Sequence, residues 1–227
     1  MARLPRDTLT LPHLIVCEGA ADEAFLRALG KQRGLEEISI RHPGDVDRGG
    51  RGGLDKLGWL LRGIRTWRGF ERVTDILVVA DNDTDPATNF ARVRRQVTEA
   101  GYPVPDAPLL VAEATGDNLP RRMRILMLPW ADRPGTLDML CLGPARAAEP
   151  ALAACAEAFA ACARAAGRDH DARRDQFLLR ALLAAAHPRD PRLGLGQVWQ
   201  RAPGLIPLAH ADFDPIAGVL ADFVARR

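Results

Sequence analysis

Lysine is nearly missing from this chain. Lys31 and Lys56 are the only two, and arginine supplies the remaining positive charge. Arginine offers a planar fork suited to two-point contact with phosphate oxygens, whereas lysine is a flexible point charge. The four cysteines, Cys17, Cys141, Cys155 and Cys162, show no Cys-x-x-Cys spacing. That excludes the common zinc-ribbon and dithiol frameworks and leaves small buried hydrophobes as their reading. No apolar run reaches the roughly 18 residues that a membrane helix needs. The first twelve residues are polar and proline-punctuated, unlike a signal peptide. These absences read as a soluble, cytoplasmic, reduced chain with no membrane partner. No G-x-x-x-x-G-K-S/T stretch is present, so an ATP-driven step calls for a second protein. With a net charge of only +2, the overall field selects no class of partner.

What is present is an apolar run that ends in acid. Ile76-Leu-Val-Val-Ala80 leads into Asp81, Asp83 and Asp85, and Pro86 then opens a helix. A short β-branched run bounded by turn residues reads as a buried strand. Ligands of open α/β sheets bind beyond the C-terminal ends of the strands. Clustered carboxylates repel one another unless a cation compensates, so the stretch proposes a divalent-metal site.

At 227 residues the chain has ample length for a core. Strands are expected over residues 13–17, 36–41, 74–80, 109–112 and 124–129, and helices over 21–33, 54–67 and 86–100. That alternation argues a parallel sheet with helices on both faces. Beyond Trp130 the pattern turns helical: a helix opening on Pro134 and Gly135, then residues 150–167, 171–186 and 215–224. The expected division is an α/β domain over residues 12–130 and a helical C-terminal extension over 131–227.

Glu18 comes directly after the first strand, as Asp81 and Asp83 come after the third. If those strands are parallel neighbours, all three carboxylates emerge at one edge. Hard oxygen ligands suit Mg²⁺ or Mn²⁺. Leu14-Ile-Val-Cys-Glu-Gly19, with Asp22 in the next helix, resembles the glutamate motif of the topoisomerase–primase (Toprim) fold. Val78-Val-Ala-Asp-Asn-Asp83 resembles its DxD motif, and Pro134-Gly-Thr-Leu-Asp138 is similar to the PGxLE element of OLD-type and related stand-alone Toprim proteins, with aspartate for glutamate. The resemblance implies a Toprim-like Rossmannoid parallel sheet, Mg²⁺ (or Mn²⁺) as cofactor, and hydrolysis of phosphodiester bonds in DNA or RNA. Residue by residue it implies Glu18, Asp81 and Asp83 as catalytic metal ligands, with Asp22 and Asp138 at a second metal.

The chain also departs from that pattern. OLD-type nucleases carry a lysine after the PGxLE element, and here Arg173 or Arg174 stands in the only comparable place. The competing readings are a non-catalytic nucleic-acid or nucleotide-binding module that works with a partner ATPase, and primase-like nucleotidyl transfer, which lacks any zinc-binding segment here. Asp85 before Pro86 reads as a helix cap as readily as a ligand. Residues 49–53, with Arg51, read as a phosphate loop or a plain linker. Trp59, Trp67 and Trp130 read as packing residues.

Overall fold

The structure is a computed structural model and describes residues 7–35, 38–45, 53–113, 122–168 and 173–225. Five strands form one sheet: β1 (His13–Cys17), β2 (Ile38–Arg41), β3 (Asp75–Asp81), β4 (Ala112–Glu113) and β5 (Arg122–Leu128). Their order is β2-β1-β3-β5-β4. The first four in that order run parallel, and β4 alone is antiparallel, on β5. The α/β class expected from the alternation is therefore present, with one correction. The fourth strand is two residues long and antiparallel, and Leu109, expected within it, instead sits before it at a φ of +66°.

Every residue of β1 is buried, and so are six of the seven in β3. Strands covered on both faces read as unbroken apolar runs rather than alternating ones. Their alternation nevertheless sorts the side chains. Leu14, Val16, Ile76, Val78, Ile125 and Met127 face α2 (Leu57–Ile64) and α3 (Pro86–Glu99). Ile15, Cys17, Leu77, Val79, Leu126 and Leu128 face the other layer. That second layer is α1 (Ala20–Gln32) together with the C-terminal helices: α4 (Leu137–Ala148), α5 (Pro150–Ala165), α6 (Arg174–Ala186), α7 (Leu195–Arg201) and α8 (Asp214–Ala225). The helical half and the sheet thus share one continuous core.

Two expected helices shift. The one read from residue 54 begins as a 3-10 turn, Leu54–Lys56, and becomes α-helical at Leu57. The one read from Pro134 begins only at Leu137, because Gly135 is extended at φ +134° and bridges to Asp83. The helix α7 lies in a stretch for which the sequence suggests no element. Among the described residues no helix is long and apolar enough to cross a membrane.

Candidate functional site

The pairing of β1 with β3 sets the site. Cys17 lies opposite Val79 in parallel register, so the residues just beyond each strand emerge at the same edge. The backbone N–H of Asp81 donates to Glu18 Oε1 at 2.8 Å. The other carboxylates are held in the same manner. Asp81 Oδ1 accepts from Leu137 N at 3.0 Å, and Asp22 Oδ2 accepts from Gly19 N at 2.9 Å. Each thus spends an oxygen on a backbone amide, which fixes the side chain and leaves its second oxygen for another partner.

Asn82 and Gly135 build the turn that carries Asp83. Asn82 is fully buried, and its amide donates to Trp130 O at 2.6 Å and Arg133 O at 2.7 Å. Asp83 sits in the left-handed region at φ +47°, which aspartate tolerates better than most residues. Its carbonyl accepts from Gly135 N at 2.6 Å. A Cβ on Gly135 would lie 2.5 Å from Met139 Sδ and 3.2 Å from the Pro129 ring, so no other residue fits unchanged. Pro134-Gly-Thr-Leu-Asp138 is therefore docked on the acidic strand end through Gly135 and Leu137. Asn82, whose type fits an ordinary turn before a helix, is the tie between the two segments.

Burial dominates the electrostatics of this edge. It pushes the Glu18 carboxyl up to about 7, with the charges of Asp22 and Asp83 adding to it and the Asp81 amide and Arg92 opposing. Burial likewise lifts Asp22 to about 6, against its amide bonds and His42. Asp81 is raised well above the usual carboxylate range by burial and by the nearby charges of Asp22 and Glu18. Asp138 is raised by burial, with Arg180 drawing it down. Burial, with mutual repulsion among Glu18, Asp22 and Asp81, thus raises four carboxyls at one edge of the sheet.

A cleft of about 600 Å³ opens here, and its walls include Asp81, Asp83, Asp138, Arg173 and Arg174. The structure thus puts both arginines in the same cleft as the acids. Arg174 is shared with Glu157, its Nη2 lying 2.5 Å from Oε2. Asp85 lies apart from the group: both its oxygens cap α3, accepting from Thr88 N at 3.0 Å and Thr88 Oγ1 at 2.7 Å. Residues 46–52, which include Arg51 of the glycine loop, lie outside the described residues.

Among the described residues, no three of the acids at this edge bring one oxygen each within 4.8 Å of one another. The trio that does is Glu23, His42 and Asp45, which no sequence motif singles out. Only the β1–β2 adjacency brings the first turn of α1 to the end of β2, and no spacing reveals it. His42 Nε2 faces Glu23 Oε2 at 3.3 Å, while its Nδ1 accepts from Gly44 N at 3.1 Å. That pattern keeps a proton on Nε2. Burial opposes ionisation of Glu23, but the His42 and Arg27 bonds outweigh it and hold the carboxyl near 2. The same Glu23 bond raises His42 against the effect of burial. Within the trio, His42 Nε2 is already engaged with Glu23, so this nitrogen is not free to ligate an ion. Hard oxygen donors are found instead at Glu18, Asp22, Asp81, Asp83 and Asp138; their chemistry suits a divalent cation, while their oxygens stand farther apart than one ion's ligands.

A family model described as "Protein of unknown function (DUF3226)" matches residues 12–201. No curated protein and no solved structure matches the chain.

Proposed function

The chain belongs to the DUF3226 family, and we propose that it is a metal-dependent nuclease of the Toprim and OLD-like kind, hydrolysing phosphodiester bonds of DNA or RNA at the edge formed by Glu18, Asp81 and Asp83. The observation that carries this reading is the bond from Asp81 N to Glu18 Oε1, which joins two motifs 63 residues apart at the C-terminal ends of adjacent parallel strands. The docked segment ending in Asp138 adds a third.

Glu18, Asp81 and Asp83 would hold Mg²⁺ or Mn²⁺, with Asp22 and Asp138 placed toward a second ion. Such a cation supplies stabilisation of phosphate charge and a nucleophilic hydroxide at neutral pH. The chain's own groups then have distinct tasks. Leu137 N and Asp81 N orient the two central carboxylates. Arg173 and Arg174, which line the same cleft, bind non-bridging phosphate oxygens. In the alternative in which Glu18 is not a ligand, burial holds its proton up to about pH 7 and suits it to exchange one with a water or a leaving oxygen.

The test is cleavage of plasmid and single-stranded substrates with Mg²⁺ or Mn²⁺. Cleavage that is abolished by EDTA and by Asp81→Ala is the expected result. Activity that survives either would refute the assignment. The competing reading is a non-catalytic module that binds nucleic acid beside a partner ATPase. The observation favouring it is that no three acid oxygens of this edge, among the described residues, close to within 4.8 Å. Salt-dependent binding without turnover in the same assay would select it.

A further inference from the structure

Beside the acidic cleft lies a second hollow of about 410 Å³, and Asp138 lines both. One wall of the second hollow is apolar: Leu179 and Leu183 from α6, Leu193, and Leu195 at the start of α7. Its charged lining is Asp138, Arg180 and Arg192. Two guanidiniums therefore face a single carboxylate.

Neither guanidinium makes an ion pair among the described residues, although neighbouring arginines do. Arg146 and Arg174 both hold Glu157, and Arg201 holds Asp190 at 2.5 Å. Asp190 is the carboxylate nearest Arg192 in sequence, but its oxygens are taken. Oδ2 goes to Arg201 and Oδ1 accepts from the Arg192 backbone at 3.3 Å. Both Arg180 and Arg192 are exposed and line one hollow that holds a single acid, Asp138, so together they leave net positive charge there for an anion. The shape narrows the anion. Pockets of roughly 300–1,000 Å³ take ligands well above the size of a bare phosphate ion. A leucine wall opposite a pair of cationic forks fits a molecule with one apolar, flat part and one phosphate.

We propose that the Arg180–Arg192 hollow binds one nucleotide unit of a nucleic-acid strand, its phosphate on the two guanidiniums and its base and sugar against the leucines, next to the phosphodiester held at the acidic cleft. The placement next to a scissile bond rests on the nuclease reading of the cleft; the binding of a nucleotide does not.

Isothermal titration of the whole chain in EDTA tests this, with a nucleoside 5′-monophosphate and its parent nucleoside as the two probes. The monophosphate is expected to bind at least about tenfold more tightly, since one charge-assisted contact is worth that ratio. In the Arg180→Gln, Arg192→Gln variant the preference should vanish. Both side chains are exposed, so the variant should fold, and an unchanged circular-dichroism melt verifies it. Equal affinity for the two probes, no binding by the parent chain, or wild-type affinity in the variant would overturn the proposal. Cleavage with Mn²⁺ is scored separately on the parent chain. Binding without cleavage keeps the nucleotide hollow and removes the cleft's assignment, and cleavage without binding does the reverse.

Discussion

Glu18 Oε1 accepts the backbone N–H of Asp81 at 2.8 Å across two adjacent parallel strands. The bond does not need Glu18 to be charged, because either a carboxylate or an amide oxygen can accept it. Glu18→Gln therefore separates architecture from ion binding. The variant should fold and, in EDTA at pH 8, melt a few degrees above the parent, since an unfavourable buried charge is removed. Mn²⁺ should raise the melting temperature of the parent but not of the variant. Differential scanning fluorimetry with and without the ion reads both effects, and an equal Mn²⁺ shift in the two proteins would dismiss Glu18 as a ligand.

The raised acids also fix the sign of the pH dependence without metal. Glu18 moves from an ordinary value of 4.5 to about 7 in the fold, so the folded chain binds more protons than the unfolded one across that range. Stability must then fall as pH rises from 4.5 to 7, the reverse of a salt-bridged carboxylate. The shift corresponds to about 3 kcal/mol for Glu18, and Asp22, raised to about 6, acts in the same direction. Urea titrations in EDTA should show this decline, and saturating Mg²⁺ should flatten it. A metal-free chain more stable at pH 8 than at pH 5.5 contradicts the account.

Gly135 is the hinge pin of the docked segment. Gly135→Ala asks a residue with a side chain to hold φ +134° and to displace Met139 Sδ and the Pro129 ring. The strain should cost about 2 kcal/mol. Because Leu137 N and Gly135 N both bond to the acidic turn, Mn²⁺ affinity should fall along with the melting temperature. A variant that loses stability but keeps its affinity would show that the segment is scaffolding alone.

The two partners of the Glu23–His42 pair respond to pH in opposite directions, and His42 follows the same sign as the acidic edge. His42 has a raised pKa and Glu23 a lowered one. The histidine's contribution is fully present below its ordinary 6.5 and lost as pH climbs through its folded value, and that of Glu23 is present above 4.5 and lost only as pH falls toward 2. His42→Leu should therefore destabilise by about 1–2 kcal/mol at pH 6 and by clearly less at pH 9. Paired urea melts at the two values decide it.

The three inner strands could be read from sequence because β1, β3 and β5 are covered on both faces and so appear as unbroken apolar runs. The short edge strand β4 could not, since two residues carry no pattern from which a direction could be read. The acidic edge was legible for the same reason as the strands that end in it. Glu18 and Asp81 are the first acidic residues after buried runs. Asp85 was legible as a cap from the proline beside it, and the structure gives it that role. The linking role of Asn82 and the meeting of Glu23 with His42 were not legible, because both depend on segments that approach only when strands distant in sequence pair.

The last described elements reach back to the first. Phe213 packs on Phe25 with ring centres 5.3 Å apart, and Phe223 lies edge-on to His13 at 5.4 Å. Phe25 sits one helical turn beyond Ala21, in the helix whose first turn carries Asp22. A nascent chain leaving the ribosome thus presents its acidic strand ends long before the aromatic clasp that steadies α1 has been made. Phe25 therefore stays without its Phe213 neighbour, and His13 without Phe223, until the chain has been made that far.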